Sequence, residues 1–156
     1  MKTLILYATK YGAAREIAQR IAKHIDGAKI CDLKNDALPP LEEYDCIILG
    51  SSLYAGSIRK EAKTFIAGNI SILKDKKVGL FLSGMAPESG EQKVFESFPP
   101  ELVNIAKVKN LLGGIFDPEK ANGLERFIMK LVNKSGGYVN TINDEKIAKF
   151  AEAMKS

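Results

Sequence analysis

Tryptophan is missing from the 156-residue chain, histidine occurs once and cysteine twice. Cys31 and Cys46 form no Cys-x-x-Cys pair and have no histidine partner. That argues against a disulfide framework or a zinc site and fits a reducing cytoplasm. His24 falls among charged residues of a helical stretch and reads as a solvated helix residue. Few side chains therefore remain for acid–base or metal chemistry, which points to a borrowed cofactor. No apolar run approaches the ~20 residues of a membrane span. The short apolar start runs straight into Gly12 and a charged helix, so it reads as a first strand, not as a secretory signal. Neither GxxxxGK[ST] nor GxGxxG occurs, which disfavours nucleotide triphosphate hydrolysis and dinucleotide binding. The net charge is +4, but the lysines are interleaved with Glu and Asp. Without a basic stripe interleaved with aromatics, nucleic-acid binding is not expected.

What is present is an ordinary globular composition, 46% hydrophobic and 27% charged, expected to form one domain over residues 1–156. Apolar runs alternate with amphipathic helices. Residues 3–8, 46–50 and 76–83 are short and nearly continuously apolar, as strands buried on both faces must be. Residues 28–33 alternate and supply a further strand, and residues 108–116 read as the fifth. Helices are expected over 13–25, 58–68, 91–98, 121–134 and 144–154. Gly27 is a stop signal, Pro39 and Pro40 mark a loop, and Pro99 and Pro100 break the chain after 98. Strands alternating with helices predict an α/β fold, a parallel sheet with helices on both faces.

Ligands of such sheets bind beyond the carboxyl ends of the strands, where strand order reverses. Three segments fall there. Thr9, Lys10, Tyr11, Gly12, Ala13 and Ala14 join the first strand to the first helix. A helix start offers unpaired amides and positive dipole to a terminal phosphate, and Gly12 permits close backbone approach. Thr9 brings a hydroxyl and Arg15 a charge; the same pattern also serves as a plain helix cap. Ser51, Ser52, Leu53, Tyr54, Ala55 and Gly56 follow the third strand. Their small residues let backbone approach a planar ring, with Leu53 or Tyr54 covering its face; a plain surface loop would read alike. Ser83, Gly84, Met85 and Ala86 have the same character. Three such loops at one sheet edge make a binding site.

The chain resembles the flavodoxin superfamily over nearly its whole length. The resemblance implies a three-layer sandwich with a five-stranded parallel sheet of order 2-1-3-4-5. It implies FMN as cofactor, with the phosphate on residues 9–14 and the isoalloxazine ring on residues 51–56 and 83–86. Ala13 and Ala14 stand where flavodoxins place hydroxyl or amide side chains, so backbone amides would carry the phosphate. The charge is basic, where electron-shuttling flavodoxins are acidic. Residues 2–6 and 15–18, with the run 125–132 and Ser135-Gly136-Gly137, further resemble the menaquinone-dependent protoporphyrinogen dehydrogenase branch. That likeness implies oxidation of a porphyrinogen substrate through FMN, with electrons passed to a membrane quinone. Where the branch carries an Arg- and aromatic-rich insertion, residues 86–104 hold Glu88, Glu91, Glu96 and Glu101 instead. Such an acidic segment suits neither porphyrin propionates nor anionic lipid.

Leu124, Phe127, Ile128, Leu131 and Val132 form one apolar helical face, with Arg126, Lys130 and Lys134 outside it. A helix packed on a sheet and a helix lying on a membrane share this pattern. The resemblance adds peripheral attachment at the inner face of the membrane to a cytoplasmic setting. Three functions follow: a protoporphyrinogen dehydrogenase-like enzyme, a flavodoxin-type carrier serving a redox partner protein, and a non-flavin binding domain on the same fold. No catalytic side chain is assigned, since the cofactor carries the chemistry.

Overall fold

The computed structural model describes residues 1–85, 90–132 and 137–156, without the side chains of Ile128, Leu131 and Val132. Its strands are β1 (Thr3–Ala8), β2 (Lys29–Asp32), β3 (Cys46–Ser52), β4 (Lys77–Ser83), β5 (Val108–Leu111), β6 (Ile115–Phe116) and β7 (Val139–Asn140). Its helices are α1 (Ala13–Ala22), α2 (Lys60–Leu73), α3 (Glu91–Val94), α4 (Pro100–Ile105), α5 (Gly123–Val132) and α6 (Asp144–Lys155). The first five strands pair in parallel in the order β2-β1-β3-β4-β5, as expected.

Alternation along the strands divides the core into two. Leu4 and Leu6 of β1, Ile47 and Leu49 of β3, and Leu80 and Leu82 of β4 pack with Ala62, Phe65 and Ile66 of α2 and Leu102 of α4. Ile5 and Tyr7, Cys46 and Ile48, and Phe81 pack with Ile17, Ala18 and Ile21 of α1 and Ile147, Phe150 and Met154 of α6. The layers are helices, sheet, helices. Cys31 and Cys46 are buried on opposite faces of the sheet.

Parallel register sets Tyr7, Gly50 and Phe81 in one row. Gly50 leaves the gap that the Phe81 ring fills: a Cβ there would lie 1.9 Å from its Cζ. The ring meets Phe150 edge-on at 6.3 Å. Gly79 clears Met154 in the same way, its added Cβ falling 2.5 Å from the sulfur. Two glycines thus let α6 sit close on the sheet.

Several boundaries differ from the sequence expectation. α1 stops at Ala22, and His24 lies exposed in the turn that follows, closed by Gly27 at φ 73°. α2 runs through Gly68, which is exposed, to Leu73, whose full burial anchors another turn. Pro100 does not end a helix but starts α4 at its first position, where a missing N–H costs nothing. The expected fifth strand over 108–116 is two strands. Gly113, at φ 99°, turns the chain out of the sheet, and Ile115–Phe116 pairs antiparallel with Val139–Asn140. Lys134 and the start of the Ser135-Gly136-Gly137 turn lie outside the described residues.

Gly50→Ala is expected to lower unfolding stability by about 1–3 kcal/mol, because the new methyl must displace an aromatic ring in a filled core. Urea denaturation measures it; an unchanged midpoint would mean Phe81 has free space to move.

Candidate functional site

The carboxyl ends of β1, β3 and β4 open on a cavity of about 400 Å³, within the ~300–1,000 Å³ of small-molecule sites. Lys10, Tyr11 and Ala13 line it from the first loop, and Ser52 through Gly56 from the second. Ser83, Gly84 and Met85 line it from the third, and Gly114 through Asp117 from the stretch after β5. Ala121 and helix α5, with Leu124, Glu125 and Met129, close the remaining side.

The loops are tied to one another. Lys10 N donates to Ser52 Oγ at 3.1 Å and Leu53 N to the Ser83 carbonyl at 2.8 Å. Gly84 N donates to the Gly113 carbonyl at 3.0 Å. A Cβ on Gly114 would meet Gly84 backbone at 3.0 Å, and one on Gly113 would meet the Thr141 carbonyl at 2.1 Å. The Gly113-Gly114 pair therefore allows close backbone packing at this edge.

In the first loop Gly12 is the N-cap of α1 with φ 101°, and no side chain caps the helix. Its own N–H donates to Thr9 Oγ1 at 2.9 Å, so Thr9 fixes the turn from behind the cavity wall. Space stands open beside Gly12, with no atom within 4 Å of a Cβ placed there. This end of the cavity offers helix amides and positive dipole, which suits a phosphate. Ala14 is fully buried against the sheet. Ser51 is also fully buried; its hydroxyl accepts from Arg59 N and donates to the Ser52 carbonyl. Arg15 is exposed and lies outside the lining, and Ala86 lies outside the described residues.

In the second loop Tyr54 and Ser57 exchange two backbone hydrogen bonds across Ala55 and Gly56. Both central residues have positive φ, 51° and 76°. This is the geometry of a tight hairpin turn, held here with an alanine in a region that favours glycine. The turn presents Tyr54 to the cavity, and the Lys10 ammonium lies 3.5 Å from its ring centroid.

Two charged groups in the lining, Asp117 and Glu125, were not among the site residues expected from sequence. Glu125 accepts from Tyr11 OH through Oε1, and its Oε2 lies 3.4 Å from Lys10 Nζ. It also completes a capping box: Asn122 Oδ1 accepts from Glu125 N, and Glu125 Oε1 accepts from Asn122 N. Burial pushes its carboxyl up, but the Tyr11 and Asn122 hydrogen bonds and Lys10 outweigh that and hold it below the usual carboxylate range. The Glu125 hydrogen bond pushes the Tyr11 phenol up. The signal for Glu125 was available as Asn122-x-x-Glu125 at a helix start. The stretch 114–117 was missed because the break at Gly113 was read as strand.

From α5 the cavity is lined by Leu124, Glu125 and Met129, with Ala121 contributed by the turn before it. Leu124 and Phe127, assigned from sequence to the apolar face, are 63% and 61% exposed. They do not pack on the sheet.

The Flavodoxin domain family matches residues 4–142. The chain belongs to the flavodoxin family. A protoporphyrinogen IX dehydrogenase [quinone] of Escherichia coli (strain K12) is 25% identical over 177 aligned positions, covering 99% of this chain and 94% of that protein. Among solved structures, oxidised Flavodoxin 1 from Bacillus cereus superposes with a TM-score of 0.63 at 17% identity, over 99% of this chain and 97% of that one. The Fusobacterium nucleatum flavodoxin bound to flavin mononucleotide gives 0.57 at 17% identity, over 99% and 96%.

Ala55→Gly is expected to raise stability by about 1 kcal/mol, by removing the left-handed strain of an alanine. A urea midpoint equal to that of the parent chain would mean the turn relaxes without help.

Proposed function

We propose that this flavodoxin-family chain is an FMN-dependent oxidoreductase of the protoporphyrinogen dehydrogenase type, passing electrons to a quinone. FMN is the cofactor supported by family membership and by the FMN-bound flavodoxin of similar fold. The observation that carries the reading is one cavity whose lining has two characters. Ala13 brings in the start of α1, a helix that no side chain caps, and Leu53, Tyr54, Met85, Phe116 and Met129 supply an apolar wall. A phosphate fits the first and a flat ring system the second.

On this reading residues 12–14 hold the phosphate with backbone amides, since Ala13 and Ala14 bring no hydroxyl. Residues 52–56 and 83–85 border the ring, and Tyr54 packs near it; Ala14 and Ser51 support their loops from inside the core. When bound, the flavin supplies the hydride and electron transfer. The chain's own contribution is to orient it, exclude water with apolar side chains, and present backbone dipoles to its edge. Asp117 is a second carboxylate in the lining beside Glu125, and its Oδ1 already accepts from Glu119 N.

The relative at 25% identity supports a porphyrinogen substrate and a quinone acceptor. Two features of the chain bear on it. Glu91 and Glu96 line a separate groove beside β5, and Glu101 is paired with Lys74 at 2.7 Å. The acidity of Glu91, Glu96 and Glu101 is therefore directed away from the cavity, which weakens one physical objection to an anionic substrate; Glu88 lies outside the described residues. Exposed Leu124 and Phe127, flanked by Arg126 and Lys130, fit attachment to the surface of an anionic membrane where quinone resides. No helix among the described residues is long and apolar enough to cross a membrane. On this reading the chain works in the cytoplasm, attached peripherally to the inner face of the membrane. The second reading, a carrier that serves a redox partner protein, is favoured by the likeness to flavodoxin structures over 99% of the chain.

The purified protein is expected to take up FMN and quench its fluorescence, and Gly12→Val to abolish uptake, because a β-branched residue does not adopt φ 101°. Unchanged affinity in that variant would put the phosphate elsewhere. Anaerobic incubation with protoporphyrinogen and a menaquinone analogue is expected to form porphyrin. Ready reduction by a flavodoxin reductase with no porphyrin formed would decide for the carrier. Sedimentation with phosphatidylglycerol vesicles is expected to fall about tenfold in Leu124→Ser/Phe127→Ser, as two buried apolar side chains are lost; equal sedimentation would exclude this face as the anchor.

A further inference from the structure

Lys10 and Tyr11 are the two long side chains of the phosphate loop that reach the cavity, and both are engaged by one carboxylate. Tyr11 OH donates to Glu125, and Lys10 Nζ lies 3.4 Å from its other oxygen. Neither partner is loosely held in solvent: the Lys10 and Glu125 side chains are 24% and 15% exposed. The ammonium is further fixed over the Tyr54 ring at 3.5 Å and lies 5.1 Å from the Tyr11 centroid. Glu125 comes from α5, which also forms one wall of the cavity. The phosphate loop and the α5 wall are thus clasped together through an anion.

Phosphate and carboxylate ask for the same donors. A phosphate seated on the first loop would bring about two negative charges next to Glu125 in a partly water-excluded site, where like charges repel more strongly than in bulk water. We propose that Glu125 is an anionic gate: it holds Lys10 and Tyr11 in the flavin-free chain, and a phosphorylated flavin displaces it, freeing Lys10 for the phosphate and loosening α5 from the loop. This rests on the FMN reading above and adds to it a residue that sets the preference between phosphorylated and unphosphorylated flavin. Uptake of the phosphate and release of the α5 wall become one event, and riboflavin, which has no phosphate, leaves the clasp closed.

A purely structural role for Glu125 makes the opposite forecast. If it serves only to position Lys10 and cap α5, losing its charge weakens FMN binding. Glu125→Gln separates the two, since glutamine retains the capping box and an acceptor for Tyr11 while removing the charge. Flavin fluorescence titrations of the parent and variant chains with FMN and with riboflavin provide the readout. The gate predicts FMN binding about tenfold tighter in the variant, with riboflavin affinity unchanged within about twofold. It also predicts that, in the parent chain, FMN but not riboflavin speeds amide hydrogen exchange over residues 121–127, a measurement that needs no variant. FMN affinity unchanged or reduced in Glu125→Gln, or a gain shared equally by riboflavin, would overturn the gate while leaving the FMN site standing. Failure of the parent chain to bind either flavin would instead overturn the FMN reading, and the gate with it.

Discussion

Burial of the sheet on both faces is the constraint from which the site follows. With α1 and α6 on one side and α2 and α4 on the other, β1, β3 and β4 have no wet face along their lengths. Polar groups that need solvent or a ligand can appear only where the strands end. There Ser51, Ser52 and Ser83 replace the aliphatic residues, and Ser52 and Ser83 stand side by side in register. The same burial demands close approach of the helices, and Gly50 and Gly79 provide it. Packing on the α6 side and the position of the binding edge are therefore consequences of one arrangement.

The cavity is built before any ligand arrives, because its walls share hydrogen bonds. Lys10 with Ser52, Leu53 with Ser83, and Gly84 with Gly113 link four loops in sequence across the sheet edge. Such cross-linking holds the walls near one geometry and reduces the ordering cost of binding. Helix α5 is attached differently. Side-chain contacts from Glu125, more than backbone pairing, bring it to the phosphate loop. A cross-linked four-loop cradle thus faces a wall held chiefly by charge.

Much of this was legible in the residues. Continuous apolar runs such as 3–8 and 46–50 identify strands buried on both faces, and within the expected helix 13–25 Ile17, Ala18 and Ile21 repeat at helical spacing and are fully buried. The loops fell where strand ends require them. Other features depend on geometry that local pattern does not encode. Ile115 and Phe116 continue the apolar character of β5, so nothing but the backbone angle at Gly113 reveals that they leave the sheet. Ala14 and Ser51 illustrate the ambiguity of small residues, which suit a ligand and a packed interior equally well. Glu125 meets Tyr11 from 114 positions away, a pairing no local pattern discloses. Pro100 was read as a break because proline excludes the helix interior, yet the first helical position is where it is most at home.

The small β6–β7 ladder has a bearing on how such a chain tolerates change. Ile115 pairs with Asn140 and Phe116 with Val139, so the two ends of the excursion 117–138 emerge side by side. Asn143 N then donates to the Leu112 carbonyl, returning the chain directly to the sheet and into α6. An excursion whose stems are already joined adds little closure entropy when it grows, about 0.6 kcal/mol for each doubling of length. Segments of different length or polarity can be grafted between these stems while the doubly wound body stays as it is. The wall over the cavity is in that sense an exchangeable cassette, through which one scaffold can be refitted for different guests.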